Sequence, residues 1–175
     1  CVPDFDSEPL FCALLDHARG GEFGMAPEGL VEARQRYEPD TGVLITEMRS
    51  DTGVVQLTDA LALRSGADLT DDAAANRCEL VRSAVVLSGS VRLHVNVQPR
   101  GGAQARPAYN GLAVVCVRQP TLRLHLRSNR ALSGLQTTHD LQEGDRLNLV
   151  LSWGRIHRHH PLDVESRLRE TVEAW

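Results

Sequence analysis

Residues Val91-Arg92-Leu93-His94-Val95-Asn96-Val97 decide the fold, because apolar and polar side chains alternate there without a break. Successive side chains of a β-strand point to opposite faces of a sheet. The alternation therefore predicts a strand with one face against a core and the other in water. The same pattern recurs in residues 31–38, 122–127 and 146–151. Most of the chain is thus expected to consist of amphipathic strands.

Short turn motifs separate these strands and favour antiparallel pairing. Asp51-Thr52-Gly53 and Ser88-Gly89-Ser90 predict hairpin connections. Residues 64–76 and 101–110 are interpreted as longer loops. The remaining turn signals are Asp40-Thr41-Gly42, Asn110-Gly111 and Glu143-Gly144-Asp145. Many short strands joined in this way are typical of an antiparallel sandwich.

A helix is expected near each end of the chain. Asp6 and Ser7 suit the N-cap of a short N-terminal helix, and Pro9 suits its first turn. Its apolar face would carry Leu10, Phe11, Leu14 and Leu15. From Pro161 onward, apolar residues spaced four, four and three apart predict a second helix with a stripe made of Val164, Leu168, Val172 and Trp175. This second helix has no C-cap signal after Trp175, so we expect the polypeptide to continue.

Composition and charge narrow the class of protein. A chain of 175 residues with 42% hydrophobic residues can form one domain with a substantial core. The net charge of −4 offers no basic surface for nucleic acid, and no stretch approaches the ~20 apolar residues of a membrane span. The four cysteines lack a zinc-binding spacing, so we expect free thiols in a cytoplasmic protein, with no metal and no cofactor.

Several motifs follow one another in the order found in a known family. Residues 1–16 contain the pattern C-x-P-x-F-D-S-x-x-x-F-x-x-L-L-D, and Gly20-Gly21-Glu22-Phe23 follows it. Residues 37–46 read Y-E-P-D-T-G-V-L-I-T, and residues 52–59 read T-G-V-V-Q-L-T-D. Leu80-Val81-Arg82 and Gln98-Pro99-Arg100 come next. Together these motifs resemble the N-terminal, trehalase-like domain of glycoside hydrolase family 15, which includes bacterial glucoamylases, glucodextranases and trehalases.

The resemblance implies both a fold and a role. The fold would be an all-β antiparallel super-β-sandwich over residues 1–160, with a short N-terminal helix. Residues 161–175 would begin a linker helix toward an (α/α)6-barrel catalytic domain of the same polypeptide. The parent enzyme would cleave α-glucosidic bonds in trehalose or in malto- or isomalto-oligosaccharides. The family's catalytic glutamates belong to the barrel, so we assign no catalytic residue here.

Phe5, Asp6 and Ser7 are the candidates for a loop that rims the neighbouring active site or packs against the barrel. The exposed interdomain surface would also allow two copies of the isolated chain to dimerise. The three histidines His157, His159 and His160 lack a further ligand at useful spacing, so we interpret them as part of an interdomain loop.

Two alternatives from other classes stay open. The first is an autonomous carbohydrate-binding sandwich, although three Phe, two Tyr and two Trp leave few rings for stacking on a sugar. The second is a small enzyme that uses Asp4, Asp6 and Glu8, since glycosidases need two facing carboxyl groups roughly 5–10 Å apart. We favour a helix cap for Asp6 and solvated positions for the other two. Asp59, at the end of its strand, is interpreted as structural.

Overall fold

The computed structural model describes residues 2–4, 6–70, 74–154 and 162–175. Ten strands and one helix lie in these ranges. The strands are β1 (Glu22–Pro27), β2 (Leu30–Tyr37), β3 (Leu44–Ser50), β4 (Gly53–Leu63), β5 (Asn76–Gln98), β6 (Ala103–Ala108), β7 (Gly111–Cys116), β8 (Arg123–Ser128), β9 (Gln136–Gln142) and β10 (Arg146–Trp153), and the helix is α1 (Val164–Ala174).

The strands form two antiparallel layers that share one strand. The large sheet has the order β2-β3-β4-β5-β10-β8-β7-β6. The small sheet places β5 between β1 and β9. Since apolar side chains of both layers meet in one cluster, the predicted all-β sandwich is confirmed.

Strand β5 turns the corner between the two layers at Gly89. Its first half pairs with β4 and β10, and its second half, from Ser90 onward, pairs with β1 and β9. Gly89 has a φ of 72°, and a Cβ there would collide with the carbonyl oxygen of Thr52. The hairpin predicted at Ser88-Gly89-Ser90 is therefore wrong. Because each half of β5 has partners of its own, the chain bends from one sheet into the other and does not reverse.

The main core lies between the sheets and uses the alternation seen in the sequence. On the second half of β5, Val91, Leu93, Val95 and Val97 are all 3% exposed or less, while the residues between them face outward. The inward leucines of β8 and β10 are buried opposite them, and they are Leu124, Leu126, Leu147, Leu149 and Leu151. For these three strands the predicted inward face is confirmed.

For β2 the same prediction fails in part. The strand exists over Leu30–Tyr37, but its residues are exposed or only partly buried, with Val31 at 54% and Tyr37 at 65%. It forms the outer edge of the large sheet, away from the central strands that meet the small sheet. Alternation therefore predicted the strand correctly and its burial wrongly.

Two further predictions need correction. The loop expected at residues 101–110 contains β6, which pairs with β7 across a tight turn at Tyr109-Asn110, where Asn110 has a φ of 53°. The N-terminal helix is absent from the described residues 6–20, which form turns. Leu10 is buried there, whereas Leu14 and Leu15 are exposed, so the four apolar residues do not share one face. The predicted turns at residues 40–42, 51–53 and 143–145 are confirmed.

Helix α1 packs on the outer face of the large sheet. Asp163 caps it by accepting a hydrogen bond from the Ser166 amide at 2.9 Å. Val164 joins a second apolar cluster with Ala62 of β4, Val81 of β5 and Val150 of β10. One turn from the helix end, the Thr171 hydroxyl accepts a hydrogen bond from the Leu63 amide at 3.1 Å.

The predicted apolar stripe of α1 is divided between sheet and solvent. Leu168 packs beside the second cluster. Val172 and Trp175 are 40% and 58% exposed, and the Trp175 ring lies so close to Gly42 that a Cβ there would stand 2.7 Å from its Cζ2 atom. Among the helices described, none is long and apolar enough to cross a membrane.

A buried ion cluster fixes α1 to the sheet. Glu79 of β5 is 7% exposed and accepts from Arg127 of β8 and from Arg167 of α1, each at 2.8 Å. Arg77 approaches the same carboxylate at 3.5 Å and bonds Glu170 of α1 at 3.0 Å. Burial lowers the pKa of Arg127. The negative charge of Glu79 acts against this decrease, and the positive charge of Arg167 adds to it. One carboxylate thus bridges guanidinium groups from a strand and a helix.

We expect Glu79→Gln to destabilise the domain by about 3–5 kcal/mol, because it leaves buried guanidinium charge without its carboxylate. Urea unfolding of the two proteins measures the difference. Glu165→Gln is the control, since the Glu165 side chain is 74% exposed and its pair with Arg146 spans 3.8 Å. That variant should stay within about 0.5 kcal/mol of the wild type. Equal costs for the two variants would contradict the role of the buried cluster.

His139 makes stability depend on pH. It lies on β9 opposite Leu93, is partly buried, and its Nε2 is 3.1 Å from the Thr137 hydroxyl. Burial, with a further contribution from the charge of Arg130, lowers the pKa of His139 below its ordinary 6.5. The unfolded chain therefore takes up this proton at higher pH than the folded chain does. Its contribution to stability is complete above pH 6.5 and decreases as the pH falls toward the folded-state value.

The free energy of unfolding should decrease less between neutral pH and pH ~5 in His139→Gln than in the wild type. Denaturant melts at several pH values measure this slope. Arg130→Gln should give an intermediate slope, because burial is the larger cause of the shift. A slope that is the same in His139→Gln as in the wild type would show that another group controls this pH range.

Candidate functional site

The candidate site is the N-terminal segment, residues 2–4 and 6–21, with the neighbouring residues 98–102 and 117–119. Of the predicted rim residues, Asp6 is exposed, Ser7 is partly buried, and Phe5 lies outside the described ranges. The Ser7 hydroxyl accepts from the Asp4 amide at 3.2 Å, and the Ser7 amide donates to the Asp4 carbonyl at 3.1 Å. Ser7 thus closes a tight turn and caps no helix.

Glu8 ties this segment to the sandwich. Its carboxylate lies 2.9 Å from Arg118 Nη2 and 3.5 Å from Arg100 Nη1. Its carbonyl oxygen accepts from the Gln119 side chain at 2.6 Å, and the Arg100 amide donates to the Leu10 carbonyl at 2.8 Å. The segment is therefore bonded both to the chain after β5 and to the chain after β7.

An open groove of about 710 Å³ lies beside the bonded segment. Its walls are the turn around Asp16–Arg19 on one side and residues 98–102 on the other, with Arg118 also in the lining. Charged groups of both signs face it, including Arg19, Arg100 and Glu22. Such a lining suits hydrogen bonds to a polar ligand or to another polypeptide surface. The described residues that line it include no Phe, Tyr or Trp on which a sugar could stack.

The candidate carboxylates Asp4, Asp6 and Glu8 lack the surroundings that the acid and base of a glycosidase need. A general acid needs an apolar pocket that keeps it protonated, and its partner needs an open path to the anomeric carbon. Asp4 and Asp6 are exposed on a turn, and Glu8 is already engaged with two guanidinium groups. The arrangement is suited to holding a loop in place.

The described residues give no indication of a reactive cysteine or of a metal-binding site. Burial, reinforced by Glu79 and Asp4, raises the pKa of Cys78, and burial raises the pKa of Cys116. A thiol with a raised pKa is a poor nucleophile at neutral pH. No group of three potential ligands gathers in the part of the chain that is described. The histidines His157, His159 and His160 lie outside it.

Asp59 has the structural role expected for it. Both of its carboxylate oxygens accept from Arg82, at 2.8 and 2.9 Å. The Arg82 guanidinium also stands 4.9 Å from the centre of the Phe23 ring and donates to the Phe23 carbonyl. Arg82 therefore links the large sheet to β1 of the small sheet.

Sequence reasoning missed the partners of Glu8. Arg100 ends the quoted Gln98-Pro99-Arg100 motif, which was a usable signal, but Arg118 lies in no motif. It also missed that Leu14 and Leu15 point to solvent, because the helical spacing of four apolar residues indicated a shared buried face. Glu8 is separated from its two arginine partners by about a hundred residues of sequence, and local sequence patterns do not encode contacts over such a separation.

Comparison with known proteins finds two trehalases. The chain is 29% identical to a trehalase from Mycolicibacterium smegmatis and 26% identical to a trehalase from Mycobacterium tuberculosis, with 100% of the chain aligned in both cases. It spans only 30% and 29% of the lengths of those proteins. No family model and no solved structure matches the chain. The chain is thus related to trehalase-like glycosidases and corresponds to a part of them.

We expect Glu8→Gln to loosen the N-terminal segment while costing less than about 1 kcal/mol of global stability, because the pair is partly exposed. Hydrogen exchange of the Arg100 amide should accelerate, since this amide bonds to Leu10 in the same segment. Glu28→Gln is the matched control, a carboxylate 61% exposed and 3.7 Å from Arg92. Unchanged protection of the Arg100 amide in Glu8→Gln would show that the Glu8 ion pairs do not hold this segment.

Proposed function

We propose that this chain is the non-catalytic N-terminal domain of a cytoplasmic glycoside hydrolase of family 15. The observation that carries the proposal is the alignment of the whole chain with under a third of two trehalases. The ordered motifs in residues 1–100 support the choice of this family. The parent enzyme would hydrolyse α-glucosidic bonds in trehalose or in malto- or isomalto-oligosaccharides, with inversion at the anomeric carbon.

The positions of the described carboxylates Asp6 and Glu8 favour a non-catalytic role for this domain. Inverting hydrolysis needs an acid and a base about 6.5–9.5 Å apart with a water between them. Glu8 is engaged with arginines and Asp6 is exposed on a turn, so neither is placed as such an acid or base. The two catalytic carboxyl groups would come from an (α/α)6-barrel in the same polypeptide, and this sandwich would brace it.

Two parts of the chain are the proposed contacts with that barrel. The segment that contains the candidate rim residues Phe5, Asp6 and Ser7 would rim the active site or pack beside it. Helix α1 would lead toward the barrel, with Val164 and Leu168 facing the sandwich. The exposed parts of Val172 and of Trp175, whose ring also lies beside Gly42, would meet the partner. The exposed fractions of the last two, 40% and 58%, agree with such a contact.

The proposal predicts that glucose is released from trehalose, maltose or isomaltose by a polypeptide extended through the adjoining coding region, and not by the 175-residue chain alone. Glucose release measured for both proteins tests this directly. Activity of the short chain that disappears in Asp4→Asn or Asp6→Asn would overturn it in favour of a small enzyme. Inactivity of the short chain together with saturable glucan binding would favour the carbohydrate-binding module.

A further inference from the structure

Two adjacent leucines protrude from the N-terminal segment. Leu14 is 98% exposed and Leu15 is 86% exposed, the two highest values among the large apolar side chains described. A single exposed leucine is ordinary on a protein surface. Two neighbours that are both almost fully hydrated are less common, and they give a protruding tip that is apolar and able to insert into another surface.

Hydrogen bonds close the base of the loop that carries this tip. We define the leucine loop as residues 12–20. The Cys12 amide donates to the Gly20 carbonyl at 2.9 Å, and the Gly20 amide donates to the Asp16 carbonyl at 2.6 Å. The Cys12 thiol also donates to the Gly20 carbonyl, at 3.2 Å. Since these bonds close the loop at its base, the leucines are displayed by an ordered turn.

The loop is anchored in the core immediately before its tip. Leu10 is 5% exposed, and the Phe11 ring packs against Phe23 with ring centres 6.0 Å apart. Apolar residues thus point inward before the loop and outward at its tip. A binding partner would therefore meet a preorganised surface and would lose little conformational freedom of the loop on docking.

The surroundings of the tip resemble the border of an interface. Asp16, His17 and Arg19 follow the leucines and line the groove of about 710 Å³. Interfaces commonly surround an apolar centre with a polar rim of this kind. The groove has room for a segment of a partner beside the inserted leucines.

We propose that Leu14 and Leu15 insert into an apolar pocket on the remaining, larger part of the same trehalase-like polypeptide. This inference rests on the proposed function, which supplies the partner. The aligned relatives are more than three times the length that this chain covers in them, so most of such a protein lies outside the sandwich.

The size of the loop favours a tethered partner over a second copy of the chain. A stable complex of two free proteins needs ~800 Å² from each side, contributed by 20–30 residues. The leucine loop has nine residues and only two apolar side chains at its tip. Covalent linkage raises the effective concentration of the partner to the millimolar range, so a small apolar contact is then sufficient.

The test substitutes both leucines, as Leu14→Ser with Leu15→Ser, in the 175-residue chain and in the extended polypeptide. The matched control is Leu30→Ser with Val31→Ser, an exposed apolar pair at 46% and 54% beyond the opposite end of β1. Limited proteolysis between the sandwich and the rest of the polypeptide is the main measurement, with calorimetry as the second. Neither measurement needs catalytic activity.

We expect the isolated chain to melt at the same temperature with and without the leucine substitutions, because both side chains are already hydrated. In the extended polypeptide, the leucine variant should be cleaved at least about tenfold faster than the wild type, since losing buried leucine contacts shifts the docking equilibrium by that factor or more. The control pair should leave the cleavage rate unchanged.

Other results would overturn the inference. Equal cleavage of the leucine variant and the wild type would show that the tip contacts nothing in the polypeptide. A wild-type dimer of the isolated chain that dissociates on leucine substitution would assign the tip to a second copy. A raised KM for trehalose with unchanged cleavage would assign the leucines to substrate. If the extended wild type lacks glycosidase activity yet the cleavage effect is present, the proposed function fails and the docking site stands.

Discussion

The buried carboxylate of Glu79 is the interaction on which the arrangement of this domain depends. It accepts from Arg127 on one strand and from Arg167 on the helix, so it joins two elements that are far apart in sequence. Burying one ion here would be costly without its partners, and the cost is offset only when α1 lies against the sheet in one position. The cluster therefore favours a single placement of the helix over other apolar contacts of similar area.

That placement gives the large sheet two covered faces near its centre. Leu149 and Leu151 of β10 face the small sheet, while Val150 between them faces α1. This explains why residues 147–151 contain an apolar residue where strict alternation would place a polar one. A strand at the sheet edge, such as β2, is covered neither by the small sheet nor by α1, and it is exposed on both faces.

The N-terminal segment depends on a different kind of contact. Glu8 and its arginines hold the N-terminal segment by exposed and partly exposed ion pairs, which stabilise a loop without adding much to global stability. The same segment ends in the leucine loop, so one short stretch is both fastened to the sandwich and directed outward. This combination is consistent with the proposed contact between this segment and the rest of a longer polypeptide.

The sequence alone determined the properties that depend on nearest neighbours along the chain. Alternation in residues 91–97, 122–127 and 147–151 identified three strands and their inward faces, because side-chain direction in a strand has a period of two. The order of motifs pointed to the relatives that comparison then found. Tertiary structure alone decided that β5 bends at Gly89, that α1 lies on the sheet, and that Leu14 and Leu15 face water. Each of these outcomes depends on which distant groups supply hydrogen bonds and counter-charges, and a local pattern carries no record of those partners.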